Sequence, residues 1–168
     1  MGKVELIFDT SSLISLKSVD CLKLLSEFVE FFVTTDVKNE LAGLGRTDKN
    51  VETILEEMKF SETFATIPDK YKKLYKWLGK GEISSLVLAQ NENKEIVIDD
   101  IEALEIILNE FKVKIKFSIH MIYLLVLKKK LTPKEGLEKI EQLRDVRSWE
   151  SNVIYQTARR IWKKEFNL

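Results

Sequence analysis

The stretch "EIVIDDIEAL", residues 95–104, joins a buried apolar run to two adjacent carboxylates. Ile96–Ile98 predict a buried strand, and the residues that follow the two acids have the apolar spacing of a helix. One acid at the start of a helix is ordinary capping chemistry, because its oxygens accept hydrogen bonds from free backbone N–H groups. Two acids, Asp99 and Asp100, at the same strand end raise the question of whether other acids arrive at the same edge of a sheet.

Strand and helix signals alternate on both sides of this stretch. Strands are predicted at Val4–Phe8, at Phe31–Thr34, at Glu95–Ile98 and within "KVKIKF", with Phe64–Ile67 either a short strand or a connector. Helices are predicted from Ser11 or Ser12, after a cap at Asp20, to an end near Gly43 or Gly45, across 48–58, 82–91, 103–111 and 119–128, after a cap at Thr132, and after a cap at Ser148. This alternation predicts an α/β fold, a three-layer α/β/α arrangement with a central, mostly parallel sheet and extra C-terminal helices.

The composition, 45% hydrophobic and 32% charged over 168 residues, is typical of a folded globular protein. We expect a single domain over 1–168, with an α/β core over about 1–118 and a helical extension over about 119–168. No apolar run approaches the roughly 20 residues of a membrane span, and the N-terminus has no secretory pattern. The single cysteine, Cys21, cannot form an internal disulfide, so we expect a cytoplasmic protein.

The net charge of zero conceals a division of charge along the chain. Residues 1–111 contain 13 basic and 21 acidic side chains, whereas residues 112–168 contain 14 basic and 6 acidic side chains. Such asymmetry is expected of an acidic site beside a basic surface for a polyanion. It is equally expected if the two parts neutralise one another across solvated faces.

Carboxylates recur where strands end and helices begin. Asp9 follows the first strand, and Asp99 and Asp100 follow the strand at 96–98. Glu40 lies on the helix after the second strand, and Glu82 lies in the first turn of the helix after Gly81. Ligand sites in parallel sheets lie beyond the carboxyl ends of the strands. Acids gathered there would repel one another, and a divalent cation such as Mg²⁺, which prefers oxygen ligands, would relieve that repulsion.

Each acid also has a structural interpretation, as a helix cap, as a partner of the helix dipole or as part of a solvated face. The chain has one histidine, His120, so a multi-histidine zinc site is not expected.

Four blocks of the sequence, in order, resemble the signature blocks of PIN-domain nucleases, relatives of VapC-type toxins and of the PilT N-terminal domain. The blocks are "VELIFDTSSLISL", "FVTTDVKNELAG", "GKGEISSLVLAQ" and "EIVIDDIEALEI". The last third of the chain resembles the helical extension of a subgroup common in archaea and bacteria. The resemblance implies a Rossmann-like fold and hydrolysis of RNA that depends on Mg²⁺ or Mn²⁺.

Carried over by position, the resemblance makes Asp9, Glu40, Glu82 and Asp100 the catalytic acids. The same four bind metal with Asp99 as an additional acid, and Ser11 supports the site. It also implies RNA as substrate, a possible toxin role with an antitoxin protein as partner, and a homodimer. Glu82 stands where many relatives have Asp, and "FSIHM" lacks the small turn residues of many relatives. The alternative is a catalytically silent PIN-like module that binds RNA or protein.

Two basic groups are candidates for RNA contact. Lys128, Lys129 and Lys130 form one, and Arg159 and Arg160 belong to the other, with Trp149 or Trp162 available to stack a base. The alternatives are that the lysines complement the dipole at the end of a helix and that Trp162 belongs to the core.

Overall fold

A parallel sheet forms the centre of the computed structural model, which describes residues 2–168. Within those residues it has five strands in the order β3-β2-β1-β4-β5, and every neighbouring pair is parallel. The strands are β1 (Val4–Phe8), β2 (Val29–Thr34), β3 (Ser61–Thr63), β4 (Glu95–Val97) and β5 (Lys114–Lys116). The predicted α/β class and the parallel sheet are therefore confirmed.

Helices cover both faces of this sheet. They are α1 (Thr10–Ser18), α2 (Leu22–Leu25), α3 (Thr35–Gly45), α4 (Lys49–Glu57), a 3₁₀ helix (Asp69–Lys76), α5 (Lys80–Glu92), α6 (Leu104–Glu110), α7 (Ser118–Leu127), α8 (Pro133–Arg147) and α9 (Val153–Phe166). None of the helices in residues 2–168 is long and apolar enough to cross a membrane. The three layers confirm the predicted architecture.

Two hydrophobic cores lie on opposite faces of the sheet, and β1 contributes to both. Leu6 and Phe8 pack into the core formed with α1, α2, α4 and the C-terminal helices. Ile7, between them, packs into the core formed with the 3₁₀ helix, α5 and α6. Successive side chains of a strand point to opposite faces, so a strand covered on both faces is apolar at every position. This explains the unbroken apolar run before Asp9.

The helices α7 to α9 pack against one another through Gly136. A Cβ atom there would lie 2.5 Å from Trp162 Cζ2 and 2.8 Å from Val126 Cγ2. Trp162 is 3% exposed and donates a hydrogen bond from Nε1 to the carbonyl of Pro133 at 2.9 Å, and Trp149 is 6% exposed. Neither tryptophan presents a free face to stack a base, so this sequence-based interpretation is wrong. The single-domain boundaries, with a division near residue 118, stay a prediction.

Some predicted helix boundaries are corrected. Asp9, rather than Ser11 or Ser12, caps α1. Asn152, rather than Ser148, caps α9, with its Oδ1 accepting hydrogen bonds from the N–H groups of Ile154 and Tyr155. Ser148 instead ends α8 in a left-handed conformation, with φ 54°. Phe64–Ile67 is a connector, and the edge strand is three residues earlier.

Candidate functional site

The acids meet at the carboxyl ends of β1 and β4, which are neighbours in the sheet. The backbone N–H of Asp9 donates to the carbonyl of Val97 at 3.3 Å, so the residues that follow the two strands lie side by side. From β1 the chain order of strands runs one way to β2 and the other way to β4, which makes this the switch point where open α/β sheets bind ligands.

A cleft of about 650 Å³ opens at this point. Its acidic side is lined by Asp9, Ser11, Glu82, Asp99 and Asp100. The opposite wall is the connection between α8 and α9, from Arg147 to Ile154. This cleft, called the acidic cleft below, therefore brings together four of the five carboxylates that the sequence singled out.

Asp9 is held rigidly at the base of the cleft. Its Oδ1 accepts a hydrogen bond from the N–H of Ser12 at 2.9 Å, and its Oδ2 accepts one from the hydroxyl of Ser11 at 2.6 Å. Burial, with 2% of the residue exposed, raises the pKa of Asp9 to about 6, against the lowering effect of the hydrogen bonds from Ser11 and Ser12. Ser11 thus contacts the first acid directly, which is the place a supporting residue needs.

Glu82 is the least satisfied acid of the cleft. Its Oε1 is buried, and it has no hydrogen-bond partner within residues 2–168. Burial, followed by the charges of Asp9 and Asp100, raises the pKa of Glu82 to about 8. A carboxylate in this position requires either a proton or a cation.

Asp99 and Asp100 have different surroundings although they are neighbours in the chain. Asp99 is 1% exposed, and its two oxygens accept hydrogen bonds from the N–H and the hydroxyl of Ser118 at 2.9 and 2.6 Å. Asp99 therefore holds the N-terminus of α7. Asp100 is half-buried, and its Oδ1 accepts one hydrogen bond, from the N–H of Ala103 at 3.0 Å.

Glu40 lies beside the acidic cleft without lining it. Its Oε1 accepts a hydrogen bond from the N–H of Gly81 at 2.7 Å, and its Oε2 accepts one from the hydroxyl of Thr10. Gly81 has no side chain, and a Cβ atom there would lie 2.7 Å from Glu40 Cδ. Glu40 therefore connects α3 to the first turns of α1 and α5, which carry the other acids.

The donor set fits a hard divalent cation that keeps several of its waters. Within residues 2–168 no three acidic, histidine or cysteine side chains are arranged as a complete metal cage. The oxygens that face the cleft are nevertheless carboxylate oxygens, one of them buried and unpaired on Glu82. Mg²⁺ and Mn²⁺ accept such ligands, and Mg²⁺ in particular is bound through one or two carboxylates and waters rather than by a full protein cage.

The basic residues predicted from the sequence are not gathered at the cleft. α7 begins at Ser118 beside Asp99 and has 10 residues, so Lys128–Lys130 lie about 15 Å farther along its axis. Lys130 pairs with Glu27 at 2.5 Å, and Arg159 pairs with Glu141 at 2.5 Å. The structure therefore places the three lysines away from the acids.

Arg147 is the cation that the sequence analysis missed. It is the last residue of α8, lines the acidic cleft, and makes no ion pair within the part of the chain that the structure describes. Its guanidinium lies 6.0 Å from the ring of Trp149. The sequence offered no signal for Arg147, because only the folding back of the connection between α8 and α9 brings it to the acids.

Comparison with known families gives one match. The family model DUF3368, whose description is PIN domain, matches residues 5–164. No curated protein and no solved structure matches the chain significantly.

Proposed function

The chain belongs to the PIN-domain family, and from this membership and its acidic cleft we propose that it is a divalent-metal-dependent endoribonuclease. The family gives it a nuclease-type fold. The proposed metal is Mg²⁺ or Mn²⁺, and the proposed substrate is single-stranded or structured RNA.

The buried, unpaired Oε1 of Glu82 is the observation that carries the proposal. A carboxylate oxygen without a hydrogen-bond partner is rare in the interior of a protein, because its desolvation is uncompensated. The charges of Asp9 and Asp100 add to the energetic cost of ionising Glu82. A bound cation would offset all three negative charges at once, which suits a metal site better than three independent helix caps.

In this proposal Asp9, Glu82 and Asp100 hold the cation, Asp99 lies behind them, and Glu40 positions α5. When bound, the cation supplies positive charge that stabilises the negative charge developing on a scissile phosphate. Asp9 enters the reaction in one fixed orientation, because Ser11 and Ser12 hold both of its oxygens. Glu82 releases its proton when the cation arrives, since its raised pKa leaves it protonated near neutral pH without one.

Cleavage of single-stranded RNA by the purified protein tests the proposal. We expect cleavage with Mn²⁺ or Mg²⁺, none with EDTA, and a loss of at least a hundredfold in Asp9→Asn purified in the same way. The Asn variant still caps α1, so its melting temperature is expected to stay near that of the native chain. Cleavage that persists in Asp9→Asn or in EDTA would contradict the proposal and indicate a contaminating nuclease.

A catalytically silent PIN module is the second candidate function. It is favoured by the engagement of Glu40 with Gly81 and Thr10 and of Asp99 with Ser118, which leaves fewer free carboxylates than the sequence promised. Titration calorimetry with Mn²⁺ separates the two candidates. Binding of the metal without cleavage of a broad RNA pool favours the silent module.

The finer family properties are also proposals. We propose a cytoplasmic toxin that forms a homodimer and is neutralised by an antitoxin protein. An apolar groove of about 480 Å³ between α7 and α9, bordered by the exposed side chain of Ile161, supports a protein partner. Cys21 is buried and unpaired, which is compatible with a reducing compartment. Light scattering of the purified protein reports the oligomeric state, and a monomer at all accessible concentrations would contradict the dimer.

A further inference from the structure

A second groove continues from the acidic cleft along α9. The second groove has a volume of about 540 Å³, and it shares Ser151 and Val153 with the acidic cleft. Its other lining residues are Gln156, Thr157, Arg159, Arg160 and Lys163. The two openings are therefore joined at the start of α9, and a chain molecule in one of them can extend into the other.

The second groove, called the α9 groove below, has the opposite charge to the acidic cleft. Its lining contains three cations and no carboxylate. Arg159 is paired with Glu141, whereas Arg160 and Lys163 make no ion pair within residues 2–168. Arg147, at the junction on the side of the acidic cleft, is also without an ion pair. Three unpaired cations thus lie along a path that starts at the acids.

The cations on α9 are spaced for an extended polyanion. Gln156, Arg160 and Lys163 follow one another at i, i+4 and i+7, so they share one face of the helix. From Val153 to Lys163 the helix rises by about 15 Å. Arg160 is exposed, and its guanidinium is free to contact a phosphate from solvent. The path is long enough for several nucleotides and too polar for an apolar peptide.

We propose that a single strand of RNA leaves the acidic cleft past Arg147 and Ser151 and runs along the α9 groove. Arg160 and Lys163 contact its phosphates. The identity of the ligand as RNA rests on the proposed ribonuclease function, whereas the path itself rests on the continuity of the two grooves and on their charge. The α9 groove extends substrate binding beyond the acids and makes binding depend on the length of the strand.

Binding of fluorescently labelled single-stranded RNA, measured by anisotropy in EDTA over a range of salt concentrations, tests the path. The variant is the double substitution Arg160→Ala with Lys163→Ala. The matched control is Lys128→Ala with Lys129→Ala, which removes the same charge from exposed positions at the far end of α7. For single strands each lost phosphate contact lowers the slope of log affinity against log salt by about 0.7, so the α9 variant is expected to lose about 1.4.

The control pair is expected to leave the salt dependence unchanged. The α9 substitutions are also expected to weaken a strand of about 16 nucleotides and to spare one of about 4, because a short strand fills only the acidic cleft. An equal effect of both pairs, or no effect of the α9 pair on the longer strand, overturns the path. A preference for an acidic peptide over RNA in competition overturns it as well.

Failure of the path is distinguishable from failure of the nuclease. If RNA binding depends on the α9 pair while the native chain shows no metal-dependent cleavage, the path stands and the nuclease proposal fails. If the native chain cleaves RNA and the α9 pair changes neither affinity nor salt dependence, the nuclease stands and the path fails.

Discussion

Glu40 holds the backbone that presents Glu82. Its Oε1 accepts the N–H of Gly81, the residue directly before Glu82, at 2.7 Å. Two acids on different helices, which the sequence analysis treated as equivalent metal ligands, are thus arranged in series. Glu40 fixes the first turn of α5, and Glu82 reaches from that turn into the acidic cleft.

Replacing Gly81 by alanine tests this arrangement. The new methyl group would occupy the place of the Glu40 carboxylate, whose carbon lies 2.7 Å from the ideal Cβ position. Because the carboxylate is the mobile end of a long side chain, it can move away at a modest cost in stability of about 1 kcal/mol. We expect Mn²⁺ affinity and RNA cleavage to fall by at least tenfold, as measured by calorimetry and single-turnover kinetics.

Gly43→Ala is the matched control, because Gly43 also lies in a helix and has no heavy atom within 4 Å of its ideal Cβ position. It is expected to stabilise the protein by about 0.5–1 kcal/mol and to leave metal affinity unchanged. A loss of metal affinity in both variants would contradict the role assigned to Glu40.

The raised pKa of Glu82 predicts that stability without metal depends on pH. Its pKa is about 8 in the folded protein and has a model value of 4.5. Between these values the folded protein keeps a proton that the unfolded chain has released, so this contribution to stability falls as pH rises and is lost above about pH 8. In EDTA, Glu82→Gln is therefore expected to match the native chain at pH 4.5 and to exceed it by about 2–4 kcal/mol at pH 9.

Urea denaturation at several pH values measures this difference. Saturating Mn²⁺ is expected to reverse the order at pH 9, because the metal stabilises only the protein that binds it. A difference that is the same at all pH values would show that Glu82 is not buried as described.

Asp99 and Asp100 are expected to differ in what their substitution changes. Asp99→Asn weakens the two hydrogen bonds that hold Ser118, and we expect a loss of about 1–3 kcal/mol of stability. Asp100→Asn keeps an oxygen to accept the N–H of Ala103, so its stability is expected to change little. Calorimetry with Mn²⁺ is expected to show the larger loss of affinity in Asp100→Asn. The opposite pattern would assign the metal to Asp99.

The start of α9 can be tested with two substitutions of opposite sign. Asn152→Ala removes the side chain that caps α9, and a loss of about 0.5–2 kcal/mol is expected. Ser148 has φ 54°, a conformation that glycine adopts without strain, so Ser148→Gly is expected to gain about 1 kcal/mol. Thermal denaturation measures both changes. A loss of stability in Ser148→Gly would favour Ser148 as the cap.

The sequence was sufficient for the fold because the fold is written in apolar runs and in the acids that end them. Val4–Phe8 is apolar at successive positions from Leu6 onward because both faces of the sheet are covered, and Asp9 stands where the strand ends. Parallel strands align their carboxyl ends, so the joint position of Asp9, Asp99 and Asp100 followed from pattern alone.

The surroundings of each acid could not be predicted from the sequence. Asp99 and Asp100 are chemically identical in the sequence, and only the contact with Ser118, 19 residues away, distinguishes them. The same holds for Arg147, whose approach to the acids depends on the direction in which the chain turns at Ser148. That turn uses a left-handed serine, and serine gives no signal for this conformation comparable to that of glycine.

The wall from Arg147 to Ile154 gives the order of synthesis a meaning for the site. Chains fold from the N-terminus as they leave the ribosome, and all five acids have been made by residue 100. Ser118, which holds Asp99, and the wall that closes the acidic cleft are added later. If the chain cleaves RNA as proposed, a nascent chain that already contains its acids still lacks an assembled cleft. The message from which it is being translated would therefore be exposed to the finished enzyme but spared by the unfinished one.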